Sequence, residues 1–291
     1  MIFHMEDRIL NVFVMILIIV GLGVFGILYM LFEAMNVQIN HLVIKKEKNG
    51  DNKAQGDHPH LLRIMNITDM HIEHIMVNPK SVKRSLIRFN PDVILFCGDY
   101  ISEWTGIKKL KLFLDKSGMS RYRCIGVMGN HDFESIGFKE SKVAGFVKKF
   151  RDLGIEILND ESVTIEKNGN RYNIIGLKEM KGMNPDVEKT FSHIDKISST
   201  NIVMVHNPDM VFRIPKEKTD LILAGHFHGG QIWLPFRLEY TILRGEKLCH
   251  MGITKGLHEI EGNKLYINRG LGNVVVPMRF LSRPEILFVD I

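Results

Sequence analysis

The chain has 291 residues, 45% of them hydrophobic and 24% charged, with a formal net charge of +5. That balance excludes global disorder and leaves room for one large core or two small ones, while the positive charge suits an anionic substrate or an acidic membrane surface without choosing between them. Three cysteines with no CxxC pair argue against a disulfide framework and for a reducing compartment.

Residues 1–9 form a short N-terminal flank. Residues 10–32, LNVFVMILIIVGLGVFGILYMLF, carry no charge. As a helix they would rise about 34 Å, enough to cross roughly 30 Å of hydrocarbon. The run is longer than a secretory signal and lacks a small-residue cleavage site, so it reads as a retained single-span transmembrane anchor. Arg8 precedes the span, whereas Lys45, Lys46 and Lys48 follow it. The positive-inside rule then puts the main body of the chain in the cytoplasm. Residues 33–60 read as a juxtamembrane linker with room for a first strand. Within them KKEKNGDNKAQGDHPH is a polar, exposed loop in which His58 and His60 are solvated rather than metal-binding.

From residue 61 to 291 the pattern changes to a single folded domain. Short apolar runs recur, and each ends in chemistry. LLRIMNIT (61–68) leads into Asp69-Met70-His71, and DVILFC (92–97) into Gly98-Asp99. CIGVM (124–128) leads into Gly129-Asn130-His131-Asp132. NIVMV (201–205) leads into His206-Asn207, and LILA (221–224) into Gly225-His226-Phe227-His228. Continuous runs of Ile, Val and Leu indicate strands buried on both faces. Amphipathic segments near 79–89, 107–117, 139–153 and 185–197 predict helices between them, hence an α/β fold with a partly parallel sheet. Ligands in such sheets bind beyond the carboxyl ends of the strands. In GHFHGGQ (225–231) an extended segment would put His226 and His228 on one side, with the glycines easing the backbone around them.

The ordered set DxH, GD, GNHD, a lone His and GHxH resembles the calcineurin-like metallophosphoesterase superfamily. The tail GLGNVVVPMRFLSRPEILFVDI, the GGQ extension and the N-terminal span are similar to its membrane-anchored phosphodiesterase-type subgroup. The resemblance implies a four-layer fold, a β-sandwich flanked by helices, here preceded by one transmembrane helix. It implies two divalent metal ions. Asp69, His71, Asp99 and His228 would hold the first. Asp99, Asn130, His206 and His226 would hold the second, with Asp99 as the bridge. Oxygen and nitrogen donors without thiolate favour Mn, Fe or Zn. A hydroxide bridging the ions would attack a phosphodiester or pyrophosphate in line. His131 points away from the ligand set and is the candidate catalytic acid or phosphoryl-oxygen stabiliser. Asp132 either orients that imidazole or caps the loop. At GLKE (176–179) an acidic residue is expected soon after the glycine, and Glu179 is the one available.

The resemblance extends to enzymes that hydrolyse UDP-diacylglucosamine, so the expected partner is a phosphorylated, lipid-linked substrate, with the membrane reached through the N-terminal helix. Two other readings stand beside this. One is a nucleotide phosphodiesterase or nuclease, although no long basic segment for nucleic acid is present. The other is a non-catalytic membrane scaffold, which complete ligand motifs oppose. No protein partner is indicated. His193 reads as a surface residue and His74 as a surface or cleft-lining one, while Arg279 and Arg283 both read as surface or phosphate-contacting arginines. Asn207 and Asp209 read as pocket-shaping residues or as an ordinary turn with Pro208, with Gln231 at the rim. The segment IWLPFRLEYTIL (232–243) is open to two readings: a core strand pair, or an apolar loop that receives an acyl chain or rests on the bilayer. Trp104 invites the second on less ground.

Overall fold

The computed structural model describes residues 2–44, 61–195 and 198–291. The polar loop at 45–60, with His58 and His60, lies outside the described residues. Helix α1 (Ile2–Met35) is 34 residues long, and 26 of them, Leu10–Met35, are apolar enough to cross a bilayer. Its apolar side chains from Leu10 to Leu28 are exposed, whereas Glu33 and Ala34 at its end are buried.

Strand β1 (Gln38–Val43) follows after two residues. It pairs in parallel with β12 (Glu285–Asp290), from Gln38 beside Glu285 to Val43 beside Asp290. The first strand allowed for within 33–60 is therefore present, and the first sheet begins at Gln38, ahead of residue 61.

Four further strands complete the first sheet: β2 (Arg63–Ile67), β3 (Val93–Cys97), β4 (Arg123–Val127) and β5 (Ile155–Ile157). The order is β1-β12-β2-β3-β4-β5. Only β12 against β2 is antiparallel. The second sheet contains β6 (Glu161–Lys167), β7 (Asn170–Gly176), β8 (Thr200–Met204), β9 (Leu221–Ala224), β10 (Gly256–Ile260) and β11 (Asn263–Ile267), in the order β10-β11-β9-β8-β7-β6. Its four central strands are parallel and its two edge strands antiparallel.

The continuous apolar runs have the cause expected of them. Every residue of β3 and of β9 is buried, because each sheet is covered on both faces. Ile64, Leu95, Ile125, Ile202, Leu221 and Leu287 fill the space between the sheets. On the outer face of the first sheet lie α2 (Pro79–Phe89), α3 (Ile107–Ser117), the short α4 (Asn130–Ser135) and α5 (Glu140–Asp152). Their buried residues include Leu86, Leu110, Phe113 and Phe146. The outer face of the second sheet carries α6 (Val187–Phe191), α7 (Leu238–Leu243) and α8 (Lys247–His250), with Phe191, Val211 and Leu248 among the packed residues. The result is helix, sheet, sheet, helix, the expected four-layer architecture.

Local chemistry sets the helix ends. Asn78 caps α2 by accepting the Lys80 N–H at 2.9 Å, Pro79 occupies the first helical position, and Asn90 leaves in a left-handed conformation. Helix α6 is shorter than the 185–197 expected for it. Its five residues follow the cap Asp186, and the chain after Phe191 is drawn into turns around buried Ile194. The carboxyl ends of β2, β3 and β4 from one sheet thus meet those of β8 and β9 from the other.

Candidate metal centre

Five of the seven expected ligands hold a left-handed backbone: Asp69 (φ 49°), His71 (φ 35°), Asp99 (φ 54°), His226 (φ 72°) and His228 (φ 52°). That region is costly for residues with a Cβ, and it persists where the surroundings over-determine it. Here each chain leaves a strand and doubles back at once, so side chains from different strands meet at the sheet ends. The approach is close enough to require glycine. A Cβ on Gly129 would sit 2.2 Å from Asp99 Oδ1, and one on Gly225 would sit 2.0 Å from Thr68 Oγ1 and 2.3 Å from Asp69 Oδ2. The GHFHGGQ segment is not extended, as alternation suggested. It is a tight turn in which His226 and His228 are themselves left-handed, with the 3-10 turn His228–Gly230 following.

The ring orientations follow from their partners. His206 Nδ1 lies 2.8 Å from the Cys97 carbonyl, an acceptor only, so that nitrogen carries the hydrogen and Nε2 presents a lone pair. His226 Nε2 lies 2.7 Å from Glu246 Oε1, so it donates and Nδ1 presents the lone pair. These two lone pairs face each other at 3.1 Å. Asn130 Oδ1 and Asp99 Oδ2 each approach the same His206 nitrogen to 3.1 Å. Electron pairs converge where something positive belongs.

Across the site, His71 Nδ1 is 3.0 Å from Ser102 Oγ, while its Nε2 is buried with no hydrogen-bond partner and 3.5 Å from Asp99 Oδ2. His228 Nε2 lies 3.2 Å from Asp69 Oδ1. One oxygen of Asp99 therefore stands between two sets of donors, while its other oxygen accepts the His131 N–H at 2.9 Å. Asp69, His71 and His228 form one group that could share an ion, and Asp99, His206 and His226 another. The orphaned His71 nitrogen and the opposed lone pairs of His206 and His226 fit divalent cations. A neutral hydrogen-bond network would leave them unexplained.

Electrostatics agree with that fit. Burial pushes His71 down to about 3 and His226 down to about 4. Both are therefore neutral at physiological pH, the state that binds metal. His206 also loses solvation on burial, but the Asp99 carboxylate raises its pKa well above the ordinary value.

His131 does not point away from the ligand set: its ring lies 5.0 Å from that of His71, and with His71 and Asp99 it forms a third group that could share an ion. It borders the cleft, and its Nδ1 lies 3.0 Å from Glu134 Oε2, one turn along α4. Asp132 does not orient it. The Asp132 oxygens accept backbone N–H groups of Asp99 (2.8 Å), Tyr100 (3.0 Å), Ile101 (3.3 Å) and Gly129 (2.9 Å), tying the β3 and β4 turns together. The loop-capping reading of Asp132 describes its contacts. The carboxylate serving His131 is Glu134, and its place three residues along the same helix was a signal open to sequence reading.

Glu179 is buried beside this centre. Its Oε1 accepts the Lys181 N–H at 2.9 Å and its Oε2 has no partner. Burial raises its pKa, and its charge acts on His206. Glu246 and Arg244 were missed by sequence reading. Glu246 is held down at about 2: burial pushes it up, but the His226 hydrogen bond together with the charges of His226 and Arg244 outweighs that. Arg244 Nη1 lies 3.4 Å from Glu246 Oε1. Asp209 fixes this segment by accepting the N–H groups of Lys247 (2.6 Å) and Leu248 (3.0 Å), a role beyond an ordinary turn.

Arg279 is neither on the surface nor facing a phosphate. It is fully buried and donates to the carbonyls of Arg269 and Ser282 at 2.9 Å, Gly270 at 3.2 Å, and Gly272. Arg283 clamps the Asn36 carbonyl and Oδ1, both at 2.9 Å. His193 is exposed and His74 is half-buried, 2.8 Å from the His71 carbonyl through its own N–H. Asn207 caps the following 3-10 turn and also lines the cleft. Gln231 ties the rim, donating to the Val274 and Val276 carbonyls at 2.9 and 3.0 Å. Residues 232–243 form no strand pair. They make a 3-10 turn and α7, while Trp104 packs 5.4 Å from Phe146.

The donors open into a cleft of about 620 Å³, lined among others by His131, Lys181, Asn207, Arg244 and Val274. Its size suits a substantial ligand.

Comparison with known proteins agrees with this geometry. The profile of the calcineurin-like phosphoesterases matches residues 62–230, more than half of the chain. The uncharacterized metallophosphoesterase YkoQ of Bacillus subtilis is 30% identical over 233 residues, covering 79% of this chain and 83% of that protein. The UDP-2,3-diacylglucosamine pyrophosphatase LpxG of Chlamydia trachomatis is 28% identical, again over 79% of this chain and 83% of its own length. The chain belongs to the calcineurin-like phosphoesterases, metal-dependent hydrolases of phosphoester bonds.

Proposed function

We propose that this chain is a membrane-anchored phosphohydrolase acting on a phosphodiester or pyrophosphate in a lipid-linked substrate. The observation that carries the reading is the position of Asp99 Oδ2 between two sets of buried donors, 3.5 Å from His71 Nε2 and 3.1 Å from His206 Nε2. Asp69, His71, Asp99 and His228 hold one divalent ion. Asp99, Asn130, His206 and His226 hold the second. When bound, the ions supply positive charge that neutralises phosphate oxygens and makes a water nucleophilic near neutral pH.

The chain's own residues do the rest. Glu134 orients His131, whose ring reaches the cleft and donates a proton to the leaving oxygen. Glu246 holds the His226 hydrogen on Nε2, which keeps Nδ1 free. Arg244 and Lys181 at the cleft wall supply positive charge for a second phosphate. The likeness to LpxG, named for a pyrophosphate carried on a diacylated sugar, supports a lipid-linked substrate. Helix α1 supplies the anchor, and Lys45, Lys46 and Lys48 beyond it, against Arg8 before it, support a cytoplasmic side for the folded domain.

The test is turnover by the full chain in detergent, loaded with manganese. A chromogenic phosphodiester is compared with the matching monoester, and Asp99→Asn serves as the blank. The reading expects diester turnover that falls by at least about 100-fold in the variant. A folded, metal-loaded protein that cleaves neither ester nor a lipid pyrophosphate would be a scaffold instead.

A further inference from the structure

Part of the exposed apolar surface of the folded domain lies next to the end of α1. Phe236 is 90% exposed, Val275 80%, Leu281 50%, and Trp233 and Leu234 40% each. Phe236 (φ 60°), Val275 (φ 62°) and Leu281 (φ 55°) also sit in left-handed backbone, unusual for bulky residues and worse for a β-branched one. Backbone contacts knit these segments into one rim. The Trp233 N–H donates to the Phe280 carbonyl at 3.0 Å, the Phe280 N–H to the Gln231 carbonyl at 2.9 Å, and the Val274 N–H to Gln231 Oε1 at 2.7 Å.

The rim is tied to the end of the helix by direct contacts. Only Asn36 and Val37 lie between α1 and β1, and Arg283 grips Asn36 while the Gln38 N–H donates to the Pro284 carbonyl at 2.7 Å. The Arg279 N–H donates to the Met30 carbonyl at 3.1 Å, and the Phe280 ring lies edge-on to Tyr29 at 6.1 Å. Met30 is five residues before the helix end, about 7.5 Å along its axis. That distance matches the roughly 5–8 Å headgroup layer on each side of a bilayer. With the end of α1 at the outer edge of that layer, the rim lies where headgroups give way to acyl chains. Trp and apolar side chains are favoured there.

We propose that the rim formed by residues 231–238 and 274–281 is seated in the headgroup–acyl boundary of the phospholipid bilayer that α1 spans, so that the cleft opens at the membrane surface. The inference rests on the reading of α1 as a membrane span. Val274 belongs to both rim and cleft wall, next to Val275. A substrate anchored by acyl chains would then present its phosphate to the centre without leaving the bilayer. A free polar phosphate would have to arrive from the side.

The test uses the full chain in phospholipid nanodiscs and the two native tryptophans, Trp104 and Trp233. Trp104→Phe leaves Trp233 as the only reporter, and Trp233→Phe leaves Trp104. Phosphatidylcholine brominated near the top of its acyl chains should reduce Trp233 emission by about twofold and leave Trp104 nearly unchanged. Phe236→Asp with Val275→Asp should abolish the Trp233 effect. A third variant, Trp104→Phe/Trp233→Phe/Phe25→Trp, reports on α1 with deep-brominated lipid. If Phe25→Trp is quenched and Trp233 is not, the rim stands off the bilayer and the inference is overturned. If neither is quenched, the anchor reading fails and takes the inference with it. Turnover of the soluble diester, measured on the same samples, tells whether the hydrolase reading survives either result.

Discussion

The contact between Glu246 and His226 allows a sharp test of how the centre is built. Glu246 Oε1 accepts from His226 Nε2 at 2.7 Å, and that bond leaves Nδ1 as the nitrogen free to ligate. Carboxylates placed behind a ligating imidazole contribute typically 10–100-fold in metal affinity, about 1.4–2.7 kcal/mol. This site should fall at the upper end. Arg244 Nη1 lies 3.1 Å from the same His226 nitrogen, so removing Glu246 leaves an uncompensated guanidinium beside a ligand. Glu246→Ala is therefore expected to weaken manganese binding about 100-fold at the site of Asn130, His206 and His226. Glu246→Gln keeps an acceptor for the Nε2 hydrogen but loses the charge, and should weaken it by about 10-fold. The site of Asp69, His71 and His228 makes no contact with Glu246, so its affinity should change by less than about threefold. Equilibrium dialysis with elemental analysis, or titration calorimetry, resolves the two ions, and His206→Ala marks the second-site signal. The reasoning is refuted if Glu246→Ala leaves both affinities within about threefold of the parent, or weakens both sites equally.

Three further outcomes follow from the same contacts. Gly225→Ala drives a methyl to 2.3 Å from Asp69 Oδ2 and 2.0 Å from Thr68 Oγ1, so the Asp69 site should lose metal at a cost in stability of about 1–3 kcal/mol. Metal content and thermal unfolding check both parts. Arg279→Met removes the donor shared by the carbonyls of Arg269, Gly270 and Ser282. The expected loss is about 3–5 kcal/mol, a melting temperature lower by roughly 10 °C, and Arg279→Lys should recover only part because one ammonium cannot fork to all of them. Burial pushes the Cys97 and Cys124 thiols up to about 12 from an ordinary 9.0. The native protein should therefore resist a disulfide-exchange reagent at pH 8 and react fully once unfolded. Because the folded-state values are raised, the contribution of these thiols to stability is complete below about pH 9 and declines as pH rises towards 12, by roughly 1.4 kcal/mol per unit for each thiol. Stability that stays level across that window would refute the assignment.

The helix-flanked, largely parallel strands and the residues at their ends were legible in the sequence because both are written locally, whereas the pairing of two sheets was implied only by the family resemblance. Buried strands such as VILFC and LILA need unbroken apolar runs, and the donor residues follow within a few positions of each strand. The amphipathic periods of α2, α3 and α5 were legible for the same reason. What the sequence could not show depends on residues far apart in the chain. β1 could be read only as a possible strand within a linker, because it is short and its partner β12 lies almost 250 residues later. Glu246 reaches His226 only because Asp209, itself distant, caps the turn that carries it. Asp132 follows His131 directly yet serves the backbone of Asp99, and Arg279 reads as a surface charge until four carbonyls from its own tail surround it. The sequence by itself determined which donors sit at which strand ends, since adjacency along the chain carries that information. Only the tertiary structure decided which nitrogen of each imidazole is free, which carboxylates stand behind them, and how the rim meets α1. Those are set by hydrogen bonds and packing across two sheets, which no short stretch of chain encodes.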